Sequence, residues 1–102
     1  MAHQGNGKPV EYRVSFSGEI AEQLKALKKR ADAAGLGSAY LDALHLATHR
    51  TRYDPWGLGE LVRRLPHLRL SIHIRVIKPL LIEFGIHEEL PLVLIKRVMF
   101  MP

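Results

Sequence analysis

Residues 68–76 read Leu-Arg-Leu-Ser-Ile-His-Ile-Arg-Val, and their alternation decides the fold. Leu68, Leu70, Ile72, Ile74 and Val76 fall on one side of an extended chain, with Arg69, Ser71, His73 and Arg75 on the other. A period of two with β-branched residues marks a half-buried strand, because successive side chains point to opposite faces. The apolar set is expected to face the core and the basic set to face solvent. Downstream, Leu80, Ile82, Phe84 and Ile86 alternate with Leu81, Glu83 and Gly85. Leu92–Met99 follows as a third strand, more continuously apolar, as suits a strand covered on both faces. Links as short as Val76–Leu80 and His87–Pro91 require antiparallel neighbours. Leu61–Leu65 adds a short strand or turn before Pro66.

Upstream the period changes. Val10, Tyr12, Val14 and Phe16 alternate with Glu11, Arg13 and Ser15, which predicts a first strand over Val10–Phe16. Ser17 suits a helix cap, with Glu19 in the first turn. Ile20, Leu24, Leu27, Ala31 and Ala34 then recur at helical spacing, and Gly35 and Gly37 end that helix. Ser38 suits the cap of a second helix, with Leu41, Leu44 and Thr48 along its inner line and Tyr40, Ala43 and Ala47 widening it. The helix fades near His49–Arg52, before the turn signal Asp54-Pro55-Trp56-Gly57. Residues 1–9 read as a flexible polar tail and residues 10–102 as a single domain. The predicted class is α+β: an N-terminal strand, a helical hairpin, then a mostly antiparallel twisted sheet of four or so strands. Helices on one face of such a sheet leave its other face free.

At 102 residues the chain suits one domain, and 47% hydrophobic with 25% charged residues is a globular rather than a disordered composition. The absence of cysteine excludes disulfides and thiolate metal sites. Met1–Pro9 has no apolar signal segment, so a cytoplasmic setting is expected, with no membrane contact. A net charge of +5 and a pI near 9.9 suit a nucleic-acid partner, although solubility alone explains such a charge equally well.

Gly57-Leu58-Gly59 lacks a third glycine and a preceding strand, so it is not a nucleotide loop. His45 and His49, four apart on a helix, suit two metal ligands, but a third is not apparent and no metal or other cofactor is expected. The stronger constellation is basic. Arg69, His73 and Arg75 project from one face of one strand. Arg63 and Arg64 precede it, Arg50 and Arg52 follow the second helix, Lys78 lies in the next turn, and Lys96 and Arg97 face opposite ways on the last strand. Alternate strand residues lie about 6.8 Å apart, close to the phosphate spacing of a single nucleic-acid strand. No carboxylate interrupts Leu61–Ile82. Arg50, Arg52, Arg63, Arg64, Arg69 and Lys78 are therefore the candidate nucleic-acid-binding residues.

The string Tyr12-Arg13-Val14-Ser15-Phe16, the helical hairpin, Asp54-Pro55 with Gly59-Glu60, and then Leu68–Val76 and Pro79–Ile86 resemble the RelE/ParE superfamily of toxin–antitoxin systems. The likeness runs from Val10 to Met99. It implies a twisted antiparallel sheet packed on an N-terminal helical hairpin. RelE-like members cut mRNA on the ribosome with basic residues of the open sheet face and no metal, whereas ParE-like members inhibit DNA gyrase. Both kinds are neutralised by an antitoxin peptide. By this resemblance His73 and Arg75 are the catalytic candidates, with His73 a general base because histidine titrates near neutrality. Leu81 stands where the family carries an arginine, and the Arg and Tyr that follow the family's last strand have no counterpart before Pro102. The expected partners are thus RNA or the ribosome, and an acidic antitoxin-like protein. The implied function is a weak metal-independent endoribonuclease, or alternatively a non-catalytic interaction module or gyrase-inhibitor-like protein.

Overall fold

The computed structural model describes residues 10–102, and the tail expected over residues 1–9 lies outside the described residues. Strand β1 (Arg13–Ser15) leads into helices α1 (Gly18–Ala33) and α2 (Gly37–Tyr53). Strands β2 (Glu60–Leu65), β3 (Leu70–Ile77), β4 (Leu80–His87) and β5 (Leu92–Phe100) follow, with single 3-10 turns at Pro55–Gly57 and Pro66–Leu68. The fold is α+β: a helical hairpin on a five-stranded mixed sheet in the order β1-β5-β4-β3-β2. β1 runs parallel to β5, and the other pairs are antiparallel. Among the described residues no helix is long and apolar enough to cross a membrane.

The helices form where short-range chemistry predicts them. Ser17 caps α1, its Oγ accepting from the Ile20 N–H at 3.3 Å, which satisfies one of the first turn's free donors. Ile20, Leu27 and Ala31 are buried along one stripe. Gly35, at φ +75°, takes the left-handed turn that ends the helix, and the Leu36 N–H donates back to the Ala31 carbonyl at 2.7 Å. Helix α2 starts at Gly37, without a side-chain cap from Ser38. Its buried face is Tyr40, Ala43, Ala47 and Thr51, so the residues expected to widen the apolar side are its centre, while Leu44 is half-buried and Leu41 and Thr48 are exposed. Small alanines let α2 approach its neighbours closely, and the Tyr40 hydroxyl donates to the Leu24 carbonyl at 2.9 Å, tying the hairpin together.

Both helices pack on one face of the sheet, against Leu80, Ile82, Phe84 and Ile86 of β4 and Val93 and Val98 of β5. Of the strand residues expected to be buried, Leu70, Ile72, Ile82, Phe84 and Val93 are, while Ile74 and Ile95 are half-buried. The first strand is shorter than Val10–Phe16, because only Arg13–Ser15 pairs with β5, and Val10 and Phe16 are exposed.

The main correction concerns β3. It pairs with β4 through His73↔Phe84 and Arg75↔Ile82. Directly opposed residues share a face, so Ser71, His73 and Arg75 lie on the helix side, and Leu70, Ile72, Ile74 and Val76 on the other. Arg69 is not in the strand; it precedes it in a left-handed conformation at φ 55°. On the helix side the turn segment Trp56–Gly59 packs against the sheet, Trp56 meeting the edge of the His73 ring and Leu58 buried in the core. Gly59 permits this close passage: a Cβ at this position would lie 2.6 Å from the Ile74 carbonyl oxygen.

Candidate nucleic-acid interface

The sheet face turned away from the helices carries one buried carboxylate, Glu83, at 9% exposure in the middle of β4. A guanidinium reaches it from each side: Arg97 Nε donates to Oε1 at 3.1 Å and Arg63 Nη2 to Oε2 at 3.5 Å. Neither arginine would reach this face in a regular strand. Between Leu61 and Arg63 the β2 register shifts, so Leu61 opposes His73 while Arg63 opposes Ile72. Between Glu83 and Phe84 the β4–β5 register shifts likewise, with Arg97 opposite Glu83 and Ile95 opposite Phe84. Each bulge inserts one residue, Val62 or Lys96, and flips the alternation. Strict alternation would keep Arg63 with Leu61, and Arg97 with Ile95. Instead both guanidiniums arrive beside Glu83, each about half exposed at 50% and 52%. A guanidinium has five donors, so one carboxylate leaves several directed outward, in the planar geometry that phosphate oxygens accept.

The remaining candidates are distributed elsewhere. Arg50 is a structural clamp: its Nη2 donates to Asp54 Oδ2 at 3.0 Å and to the Gly57 carbonyl at 2.8 Å, holding the turn after α2. Arg52 lies on the helix side, 4.0 Å from Glu11. Arg64 sits 3.5 Å from Glu88, which also accepts from the Ser71 hydroxyl at 3.0 Å, and Arg69 pairs with Glu89. The stretch Leu61–Ile82 is free of carboxylates in sequence, but pairing of Leu70 with His87 folds Glu88 and Glu89 back onto it. Arg75 on β3 and Lys78 in the turn after it are exposed and form no ion pair among the described residues.

His73 is buried on the helix side, 5% exposed. Its ring stacks on Phe84 with centroids 5.6 Å apart and meets the edge of Trp56 at 5.5 Å. Neither ring nitrogen has a hydrogen-bond partner. Burial holds its pKa below the ordinary histidine value; the nearby Gly59 backbone pulls the other way without making a well-formed bond, so burial decides the direction. A neutral imidazole has the right charge for a base, but this one faces away from Glu83 and its arginines. His45 and His49 are exposed on α2, His49 lying 5.0 Å from the Tyr53 ring. Among the described residues no group of three histidine, aspartate or glutamate side chains could hold a metal ion.

The site thus includes Glu83, which alternation did not single out, and Arg97, named in the basic constellation but not among the candidate binding residues. The available signal was a lone carboxylate within the otherwise apolar run of β4. Leu81, where the resemblance places a family arginine, shares the face of Glu83 and is 8% exposed. No protein-family model, no curated protein and no solved structure matches this chain.

Proposed function

We propose that this chain is a RelE/ParE-like toxin-family protein that acts in the cytoplasm and binds RNA or the ribosome through the helix-free face of its sheet. The observation that carries this reading is the pair of bulges that deliver Arg63 and Arg97 to either side of Glu83. Bulges re-aim side chains at functional positions, and two of them serving one carboxylate argue for a built arrangement. Glu83 holds the guanidiniums apart and oriented, and their outward donors meet phosphate oxygens. Lys78 adds positive charge in the turn after β3, while Arg75 lies on the helix side, and the order of strand, helical hairpin and sheet is the one the resemblance implies.

A second reading, a non-catalytic interaction module held by an acidic partner, is favoured by the burial of His73. A general base must come within hydrogen-bond reach of the proton it takes, and His73 lies across the sheet from the basic pair. Equilibrium binding of single-stranded RNA over a salt series tests the proposal. The log–log slope is expected to lose about 0.7 for each phosphate contact removed, and Arg63→Ala and Arg97→Ala should each remove about one. Binding that ignores salt, or ignores both changes, would dismiss the RNA-binding face.

A further inference from the structure

The helical hairpin does not close completely over the sheet. Between α1, α2 and the strands β1, β4 and β5 lies a slot of about 330 Å³, near the lower end of the usual ~300–1,000 Å³ range of small-molecule sites. Ile82, Ile95 and Val98 form its floor, and Leu24, Leu44 and Ala47 its walls. Phe16, 52% exposed, stands at the opening, an apolar ring held in solvent beside an apolar cavity.

The polar groups of the lining are few and mostly committed. The Thr48 hydroxyl donates to the Leu44 carbonyl at 2.7 Å and the Thr51 hydroxyl to the Ala47 carbonyl at 2.8 Å. That leaves the Arg52 guanidinium, half exposed at the rim, whose ion-pair partner among the described residues is Glu11 at 4.0 Å. The slot therefore offers one cation at its mouth and no free donor deeper in. A sugar or a nucleobase would leave its own polar groups unpaired in such a lining, and an alkyl cation would meet Arg52. One long apolar body with a single anionic end satisfies every wall.

We propose that the slot binds an amphipathic monocarboxylate of medium alkyl-chain length, its chain between the hairpin and the sheet and its carboxylate on Arg52. The site lies on the helix side and is independent of the Glu83 face.

The test uses the full chain and decanoate, kept below its micelle concentration, followed by calorimetry and methyl NMR. Saturable one-to-one binding is expected, with shifts confined to methyls such as those of Leu24, Leu44, Ile82 and Ile95. Octanoate, two methylenes shorter, should bind roughly tenfold more weakly. Arg52→Gln should weaken decanoate by roughly tenfold through loss of a charge-assisted contact. Ala47→Phe, which occupies the slot, should abolish binding while its melting transition persists; if that variant does not fold, the wild-type shift map decides. Non-saturable binding, shifts centred on Leu70, Ile72 and Leu81 of the opposite face, or equal binding of decyltrimethylammonium would overturn the assignment.

Discussion

The two faces of the β3–β4 pair bury aliphatic side chains by different means. On one face Ile82, Phe84 and Ile86 belong to the apolar core that the helices pack against. On the other Leu70, Ile72 and Leu81 are as well hidden, at 7%, 0% and 8% exposure, yet none belongs to the helix-packed core. Their neighbours come from the sheet itself. Gly85 has no side chain, and a Cβ there would meet Ile72 Cδ1 at 3.2 Å, so its absence lets Ile72 lie across β4. Arg63 stands directly opposite Ile72, where its alkyl stem can shield an aliphatic surface while its charged end stays wet. Burial and membership of the main core are therefore separate properties in this sheet.

This contrast is most strongly tested by truncation. Phe84→Ala is expected to cost about 3–5 kcal/mol in chemical denaturation, because the helix roof cannot collapse into the gap. Ile72→Ala should cost near 2 kcal/mol, the low end for such changes, since side chains on the open face are free to fold inward. Equal losses at the two positions would show that the open face is as rigidly covered as the core.

His73→Phe is expected to stabilise the fold by about 1–3 kcal/mol, because the change removes two buried ring nitrogens that have no partner. Its pH dependence has a definite sign. The folded-state pKa is held below the unfolded value of about 6.5, so the unfolded chain binds the proton more readily. Stability is then full above that value and falls as pH drops through it toward the folded pKa. The phenylalanine variant should lose this part of the acid sensitivity in melts from pH 7.5 to 5.

Glu83→Gln separates stability from binding. The loss should be about 1–2 kcal/mol, because both arginines are half exposed and can hydrate once released. RNA affinity should rise in the same protein, since one negative charge leaves the basic face. A fall in affinity would mean that the carboxylate's orienting role outweighs its charge. Arg64→Ala marks the small end of the scale, within about 1 kcal/mol, as befits an exposed pair with Glu88.

Sequence periodicity made α1 and β4 readable almost residue by residue. A cap at Ser17, a helical stripe and a clean alternation each have a local cause. In β3 the same reasoning located the strand and inverted its faces. Apolar Leu70 and Ile72 are expected on the helix side, but that side of β3 carries Ser71, whose hydroxyl is taken by Glu88, and His73, whose imidazole is stacked on Phe84 and met by Trp56. The site was less readable because it depends on irregularity. A bulge leaves no mark in a period-two pattern, and the register that sends Arg63 and Arg97 to Glu83 is set by pairing between distant strands. For the same reason Glu88 and Glu89 could not be matched to Arg64 and Arg69 before the β3–β4 turn brought them together.

The bulge at Val62 has a further effect, on how one molecule meets another. Strand β2 ends the sheet, and Leu61 and Val62 stand 55% and 49% exposed along it. An even, apolar edge of this kind is a template on which a second chain can add as another strand, the first step toward aggregation. The extra residue breaks the even spacing of amide and carbonyl groups, so an incoming strand loses register within a few residues. Arg63 and Arg64, next along the edge, then confront the newcomer with two positive charges. The irregularity that aims an arginine across the sheet also keeps the sheet from growing.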